Sequence, residues 1–148
     1  MSAVVHRPGE GEVIGGPSSV TIKATGDDTG GTFYLGEAVI QPGFAGPPPH
    51  VHVRLHDMFY VLDGTLTMRL GDETLELAPG SFACIPPGTV HTFGNPSEQP
   101  VRFLNFNTPA GWEHYMRDLA ATLAAGSPTS EEMGRIASRH DFRVADGR

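Results

Sequence analysis

Between residues 19 and 107 the chain alternates short runs of β-branched, aromatic and aliphatic residues with turns that contain glycine, proline or aspartate. The 19 glycines and 13 prolines punctuate these runs and do not form a low-complexity tract. Many short strands at close intervals are typical of an all-β barrel or sandwich. We predict strands over residues 19–24, 32–41, 50–54, 57–62, 65–70, 73–78, 81–85, 90–94 and 100–107.

Two of the predicted connections are tight hairpins. Asp63-Gly64 separates "MFYVL" from "TLTMRL", and Gly71-Asp72 separates "TMRL" from "ETLEL". Both pairs suit two-residue turns, which require a positive φ that glycine and aspartate tolerate.

After residue 110 the apolar period changes from two residues to that of a helix. An apolar stripe at i, i+3, i+4, i+7 and i+11 predicts one helix that ends at Gly126 and packs outside the β-body; it consists of Trp112, Tyr115, Met116, Leu119 and Leu123. Thr129, with Glu132 three residues later, predicts the N-cap of a second helix. We therefore expect one domain over residues 1–148, with a β-barrel at about 19–108 and C-terminal α-helices at about 110–140.

Charge and apolar patterning exclude several partners. The chain has 10 basic and 17 acidic side chains, whereas non-specific nucleic-acid binding depends on clustered lysine and arginine. No apolar run is long enough to cross a bilayer, and the N-terminus lacks the basic and apolar segments of a leader. We expect a cytoplasmic protein that binds neither nucleic acid nor membrane. Cys84, the one cysteine, lies among apolar neighbours and is predicted to be a buried core thiol.

Three histidines, His50, His52 and His56, lie within seven residues just before a predicted strand. Side chains at i and i+2 of a strand point to the same face, so His50 and His52 can bind one metal ion together. A solvated strand face produces the same pattern. This stretch alone therefore leaves both interpretations open.

A second segment, "GSFACIPPGTVHTFGN" over residues 80–95, has the spacing G-x5-P-x-G-x2-H-x3-N. With His50-x-His52, Asp57 and Gly64 it resembles the two sequence motifs of the cupin superfamily. The chain departs from the first motif at two positions: the leading glycine is Gly43, one residue early, and aspartate stands where the family has glutamate. The spacing onward to Gly64 favours Asp57 for the glutamate position, with His56 as the alternative.

The resemblance extends over almost the whole chain and is strongest to single-domain cupins of the quercetin-dioxygenase-like subgroup. It implies a double-stranded β-helix, the jelly-roll barrel, whose interior holds one divalent transition metal per chain. The implied ligands are His50, His52, Asp57 and His91, and the ion would be iron, nickel, cobalt, manganese or zinc. Asp57 is also the implied catalytic residue, as a ligand and general base.

A small barrel with a central metal has a pocket walled by inward strand residues. Large apolar side chains are mostly core by default, but some of them must line this pocket. The candidates are Phe33, Leu35, Phe59, Met68, Phe93 and Phe106. Phe59 and Phe93 are the strongest, because each lies two residues beyond an implied ligand. Tyr60 has the opposite parity to Asp57 and is expected between the sheet and a helix.

Three functions fit these features. The first is a dioxygenase-type oxidoreductase, quercetinase-like, that acts on a small apolar, aromatic or enolic substrate. The second is a non-oxidative metal-dependent cyclase or isomerase of secondary metabolism, and the third is a small-molecule binding or sensor cupin. Barrels of this length have strand edges that favour pairing, so we expect a homodimer.

Overall fold

The computed structural model describes residues 2–145 and consists of two antiparallel sheets that face each other, followed by two helices. The predicted domain span of 1–148 includes residues 1 and 146–148, which lie outside the described part of the chain. The elements are β1 (Glu12–Gly15), β2 (Ser19–Ala24), α1 (Gly26–Thr29), β3 (Tyr34–Ile40), β4 (His50–Val51), β5 (His56–Asp63), β6 (Leu66–Leu70), β7 (Glu73–Leu77), β8 (Phe82–Ile85), β9 (His91–Gly94), β10 (Val101–Thr108), α2 (Trp112–Ala125), α3 (Ser130–Ser138) and β11 (Arg143–Val144).

The strand order makes the barrel a jelly roll. The six-stranded sheet has the order β1-β2-β3-β10-β5-β8, and the five-stranded sheet has the order β11-β4-β9-β6-β7. Strands distant in sequence are therefore neighbours: β10 lies between β3 and β5, and β9 lies between β4 and β6. This confirms the predicted all-β jelly-roll barrel with C-terminal helices.

All nine predicted strands are present, with small differences at their ends. The strand expected over 50–54 is limited to His50–Val51, because the next backbone N–H groups bond to a carboxylate from the C-terminal segment. Both predicted hairpins are confirmed, with positive φ at Gly64 and Gly71. The predictions did not include β1, α1 or β11, which have at most four residues each and leave little periodic signal.

The barrel core lies between the sheets and follows the alternation of side chains along each strand. Along β5, for example, Asp57, Phe59 and Val61 are buried, whereas His56 and Tyr60 are exposed. The central core cluster consists of Ala38, Ile40, Phe59, Val61, Leu66, Met68, Ile85, Val101 and Phe103. Asp57 therefore shares the inward face with core residues.

The alternation of buried and exposed side chains along the strands shows that two predictions, for Cys84 and for Tyr60, were wrong. Cys84 is exposed, because it alternates with the buried Ile85 on β8, the edge strand of its sheet. Tyr60 is 43% exposed on the outer face and is not covered by a helix.

Both C-terminal helices are present. Thr129 caps α3 as predicted, since its side chain accepts a hydrogen bond from the Glu132 backbone N–H. The helices pack on each other through a second apolar cluster that contains Tyr115, Ile136 and Phe142.

Within residues 2–145, no helix is long and apolar enough to span a membrane.

Asn95, the last residue of the second motif, connects neighbouring segments at one end of the barrel by hydrogen bonds. Its Nδ2 donates to the carbonyl oxygens of Ile40 and Gln99, and its Oδ1 accepts from the backbone N–H and hydroxyl of Ser97. The residue is fully buried. Its place in the motif is therefore explained by structure and not by metal binding.

We expect Asn95→Ala to lower the free energy of unfolding by about 2 kcal/mol, because it leaves buried polar groups without partners. Urea denaturation measures this change. Ser97→Ala is the matched control: it removes one hydroxyl but leaves Asn95 in place, so a smaller loss is expected. Equal losses in the two variants would contradict this role.

Candidate metal centre

Four side chains from three segments of the chain meet inside the barrel: His50, His52, Asp57 and His91. One nitrogen or oxygen atom from each lies within 4.8 Å of those of the other three. The four residues are between 1% and 6% exposed. The structure therefore brings together all four residues that the cupin resemblance implies.

The sheet register explains how these residues meet. His50 on β4 is paired directly with His91 on β9, and His52 follows two residues after His50. Asp57 comes from the opposite sheet, at the inward-facing start of β5. His56 has an exposed side chain and is not part of the cluster, so Asp57 and not His56 lies at the fourth position.

Each imidazole is oriented by a hydrogen bond from its Nδ1 to a backbone carbonyl. His50 Nδ1 donates to Pro48 O at 2.8 Å, His91 Nδ1 donates to Thr89 O at 3.0 Å, and His52 Nδ1 donates to Asp141 O. Because Nδ1 is bound to a carbonyl oxygen in each case, Nε2 is the nitrogen that can present a lone pair to a metal ion, at His52 and His91 in place of the hydrogen bond to Asp57. The donor set therefore fits a divalent transition metal, with three imidazole nitrogens and one carboxylate.

Asp57 carries a negative charge at this centre. Burial opposes that charge, but hydrogen bonds from His52 and His91 outweigh it and hold the pKa of Asp57 well below its usual range. Its Oδ2 lies 2.9 Å from His91 Nε2 and 3.4 Å from His52 Nε2. The carboxylate is therefore ionised and faces the imidazoles.

The surroundings act differently on the two histidines of the His-x-His pair. Burial, together with the nearby His91, lowers the pKa of His50 to about 4. Burial acts in the same direction on His52, but its hydrogen bond to Asp57 prevails and raises the pKa of His52. His50 is therefore a neutral ligand at pH 7, whereas a metal ion at His52 competes with a proton that is held more strongly than in a free imidazole.

Two asparagines that the sequence analysis missed hold the other oxygen of Asp57. Nδ2 of Asn105 and Nδ2 of Asn107 donate to Asp57 Oδ1 at 2.8 and 2.7 Å. Both residues lie on β10, directly opposite Phe59 and Asp57 of β5. Because Oδ1 is occupied by two donors, only Oδ2 faces the metal-binding nitrogens. The available sequence signal was a pair of asparagines at i and i+2 on the inward face of "VRFLNFN".

Tyr34 places a hydroxyl donor beside these asparagines. It is paired with Asn107 across β3 and β10 and is fully buried. Within residues 2–145 its hydroxyl makes no hydrogen bond, and neither does Oδ1 of Asn107. Burial raises the pKa of Tyr34 above its usual range, and the charges of Glu113 and Asp57 add to the effect. The phenol is therefore protonated and can donate a hydrogen bond.

A cavity of about 410 Å³ reaches the centre, with His50 and Asp57 among its lining residues. Phe59, Phe93 and Phe103 form an aromatic wall, with ring centroids 5.4 to 5.6 Å apart. The α2 and α3 helices supply the opposite wall, through Trp112, Tyr115, Met116, Leu119 and Met133. The α2 helix thus lines the cavity through the apolar stripe that was expected only to pack outside the barrel.

The six pocket candidates divide into two groups. Phe59 and Phe93 line the cavity, whereas Phe33, Leu35, Met68 and Phe106 do not. Phe33 stacks on Phe106, and Leu35 is paired with Phe106 on the face of β3 and β10 that points away from the cavity. Met68 is fully buried within the core cluster. Phe33, Leu35 and Phe106 point away from the cavity because side chains alternate between the two faces of the sheet. Met68 points inward but lies within the core cluster and not at the cavity wall.

Comparison with known proteins agrees with the fold and the motifs. Residues 36–107 match the model of the cupin domain. Over 90 residues the chain is 40% identical to a protein named quercetin 2,3-dioxygenase from Bacillus subtilis (strain 168). That alignment covers 59% of this chain but only 26% of the relative.

Two solved structures illustrate the range of similar proteins. The polyketide cyclase RemF from Streptomyces resistomycificus is 28% identical, with a TM-score of 0.59, over 73% of this chain and 80% of that one. KdgF from Halomonas sp. is 18% identical, with a TM-score of 0.62, over 76% of this chain and 99% of that one, and shows the fold alone. The chain thus resembles the cupins in the sequence of residues 36–107. Part of it is also similar in sequence to a protein named quercetin 2,3-dioxygenase, and solved structures of proteins with other names have a similar fold.

The asparagine pair generates a prediction about metal affinity. We expect Asn107→Leu to weaken binding of Co²⁺ about tenfold, as is typical when a partner of a metal ligand is lost. Competition with a chromophoric chelator measures the dissociation constant. Leu104→Ala, on the outer face of the same strand, is the control and should leave the constant unchanged. An Asn107→Leu variant with wild-type affinity would show that Asp57 needs no support from β10.

Proposed function

We propose that this protein is a metal-dependent cupin enzyme that carries out a dioxygenase-type oxidation of a small aromatic or enolic molecule. The observation that carries the proposal is the position of the buried His50, His52, Asp57 and His91 cluster next to a largely apolar cavity. These four residues would hold one divalent ion of iron, nickel, cobalt, manganese or zinc. Such an ion supplies Lewis-acid or redox chemistry at a coordinated substrate oxygen.

The cavity determines which substrates are plausible. Its volume of about 410 Å³ lies within the range of pockets that enclose one drug-sized molecule. The rings of Phe59, Phe93 and Phe103 offer stacking and edge contacts to a planar substrate. Among residues 2–145, none of those that line the cavity is a lysine or an arginine. These features favour an uncharged aromatic or polyketide-like substrate over a phosphorylated one.

Asp57 is the proposed catalytic residue because, within the described residues 2–145, it is the carboxylate that belongs to the cluster, and its Oδ2 is turned towards the imidazoles. Action as a general base also requires this carboxylate to reach a substrate hydroxyl. Movement of the carboxylate would break the hydrogen bonds from Asn105 and Asn107 to Oδ1. We therefore assign proton transfer to Oδ2 with the carboxylate left in place.

The second candidate function is a non-oxidative cyclization or isomerization. The fixed position of Asp57 favours it, since a carboxylate held by two amides is suited to orienting an ion that polarises a carbonyl. The similarity to a polyketide cyclase also supports this candidate. The third candidate, a binding or sensor cupin, uses the same cavity without turnover.

The expected homodimer and cytoplasmic location remain proposals. The six-stranded sheet ends in β1 on one side and β8 on the other, and the exposed Phe82 lies on β8. Such edges favour association between copies of a chain.

Metal analysis is the first test of the centre. Mass spectrometry of protein purified without an affinity tag is expected to find about one transition-metal ion per chain, because four ligands converge on one point. His91→Ala should abolish this occupancy while the circular dichroism spectrum stays unchanged. The control, His114→Ala, alters an exposed histidine on α2 and should keep the metal. Full metal occupancy in His91→Ala would overturn the ligand assignment.

Oxygen dependence separates the two enzymatic functions. We expect the metal-loaded protein to consume O₂ when a flavonol is added, and to show no turnover of the flavonol under nitrogen. An oxygen electrode and the absorbance of the flavonol measure the two quantities. Turnover of an enolic substrate that is equal in air and nitrogen would contradict the oxidation and favour the cyclase or isomerase.

A further inference from the structure

The last described residues of the chain pack directly on β4, which carries His50 and is followed directly by His52. In β11, Arg143 is paired with Val51 and Val144 with His50. The backbone N–H of Ala145 donates to Pro49 O at 2.8 Å. Residues 141–145, named the C-terminal clasp here, thus add an edge strand beside His50.

Asp141 binds the backbone between two ligand positions. Its carboxylate accepts hydrogen bonds from three successive N–H groups, those of Val53, Arg54 and Leu55, the last two at 2.8 and 2.9 Å. These residues connect His52 to Asp57 with only one more residue, His56. A carboxylate that accepts three N–H groups fixes the conformation of such a short connection, because charge-assisted hydrogen bonds are the stronger ones.

The clasp also contacts two of the imidazole rings. The backbone carbonyl of Asp141 accepts the hydrogen bond from His52 Nδ1. The ring of Phe142 stacks on His50, with centroids 4.5 Å apart and an interplanar angle of 23°. Phe142 is 3% exposed and also packs on Trp112 and Tyr115 of α2. The clasp therefore connects the helical wall of the cavity to the ligand-bearing strand.

We infer that Asp141 is a positioning residue of the metal centre, through which docking of the C-terminal clasp and metal binding favour each other. The inference rests on the proposed metal site. Asp141 does not touch the ligand nitrogens that face the metal; it acts through the orientation of His52 and the course of residues 53–55. Because the coupling is thermodynamic, it is reciprocal: a bound ion stabilises the docked clasp by the same factor by which the docked clasp tightens metal binding.

The test measures metal affinity and metal geometry without any substrate, with Co²⁺ as the only probe. We expect Asp141→Ala to raise the Co²⁺ dissociation constant about tenfold, within the range seen when partners of metal ligands are removed. Asp141→Asn keeps one acceptor oxygen and should restore part of the affinity. The visible spectrum of bound Co²⁺ should shift in Asp141→Ala, because without the carboxylate the clasp no longer holds the position-141 backbone carbonyl against His52 Nδ1; a purely structural role would leave this spectrum unchanged.

Asp118→Asn is the matched control. Asp118 on α2 accepts a hydrogen bond from His140 Nε2 at 2.7 Å, one residue before the clasp, and makes no hydrogen bond to residues 50–55. This variant removes a polar contact of the same segment without touching the ligand strand. Its Co²⁺ affinity and spectrum should match those of the wild type.

Hydrogen exchange tests the reciprocal effect. Co²⁺ added to the wild-type protein should slow amide exchange both in residues 50–55 and in residues 143–145. Slower exchange in residues 50–55 alone would overturn the inference. So would wild-type affinity and spectrum in a folded Asp141→Ala protein whose wild-type parent binds Co²⁺ tightly. A wild-type protein that binds no Co²⁺ at His91 would instead overturn the proposed function, and the inference with it.

Discussion

An ionised carboxylate buried inside an apolar barrel needs partners that only the correct assembly of both sheets supplies. Asp57 is almost completely buried, and a charge without partners in such surroundings costs far more than one hydrogen bond returns. Four side chains offset this cost, two amides on one oxygen and two imidazoles on the other. They come from β10, from β9 and from the segment after β4, so the register of both sheets must be correct for the charge to be tolerated.

The same arrangement explains why aspartate can occupy a position where the cupin motif has glutamate. Aspartate is one methylene shorter, and its carboxylate would be poorly placed if it were free to rotate. Asn105 and Asn107 hold Oδ1, which leaves Oδ2 towards His52 and His91. The result is a rigid ligand, well suited to orienting an ion and less suited to moving between the ion and a substrate. This rigidity bears directly on whether the centre oxidises its substrate or only polarises it.

The C-terminal quarter of the chain is part of the site. The α2 and α3 helices supply one wall of the cavity, and the C-terminal clasp returns to the metal-binding segment through Asp141 and Phe142. Without these elements the barrel would expose an apolar cavity and the edge of β4. The cavity, the ligands and the helices are therefore connected by direct contacts.

Local sequence patterns predicted nine of the eleven strands within residues 2–145, the hairpins at Gly64 and Gly71 and both long helices. The two motifs also indicated His50, His52 and His91, and favoured Asp57 over His56 as the fourth residue. These features depend on local chemistry and fixed spacings: alternating burial, turn residues with positive φ, helix caps, and two motifs of known offset. The packing of the sheets resolved the choice between Asp57 and His56, exposed Cys84, placed Phe33, Leu35 and Phe106 on the outer face, and buried Met68 in the core. It also revealed Asn105, Asn107 and Asp141, which act on the site over separations of 48 to 89 residues. Such partners depend on sheet register and chain return, which local sequence patterns do not encode.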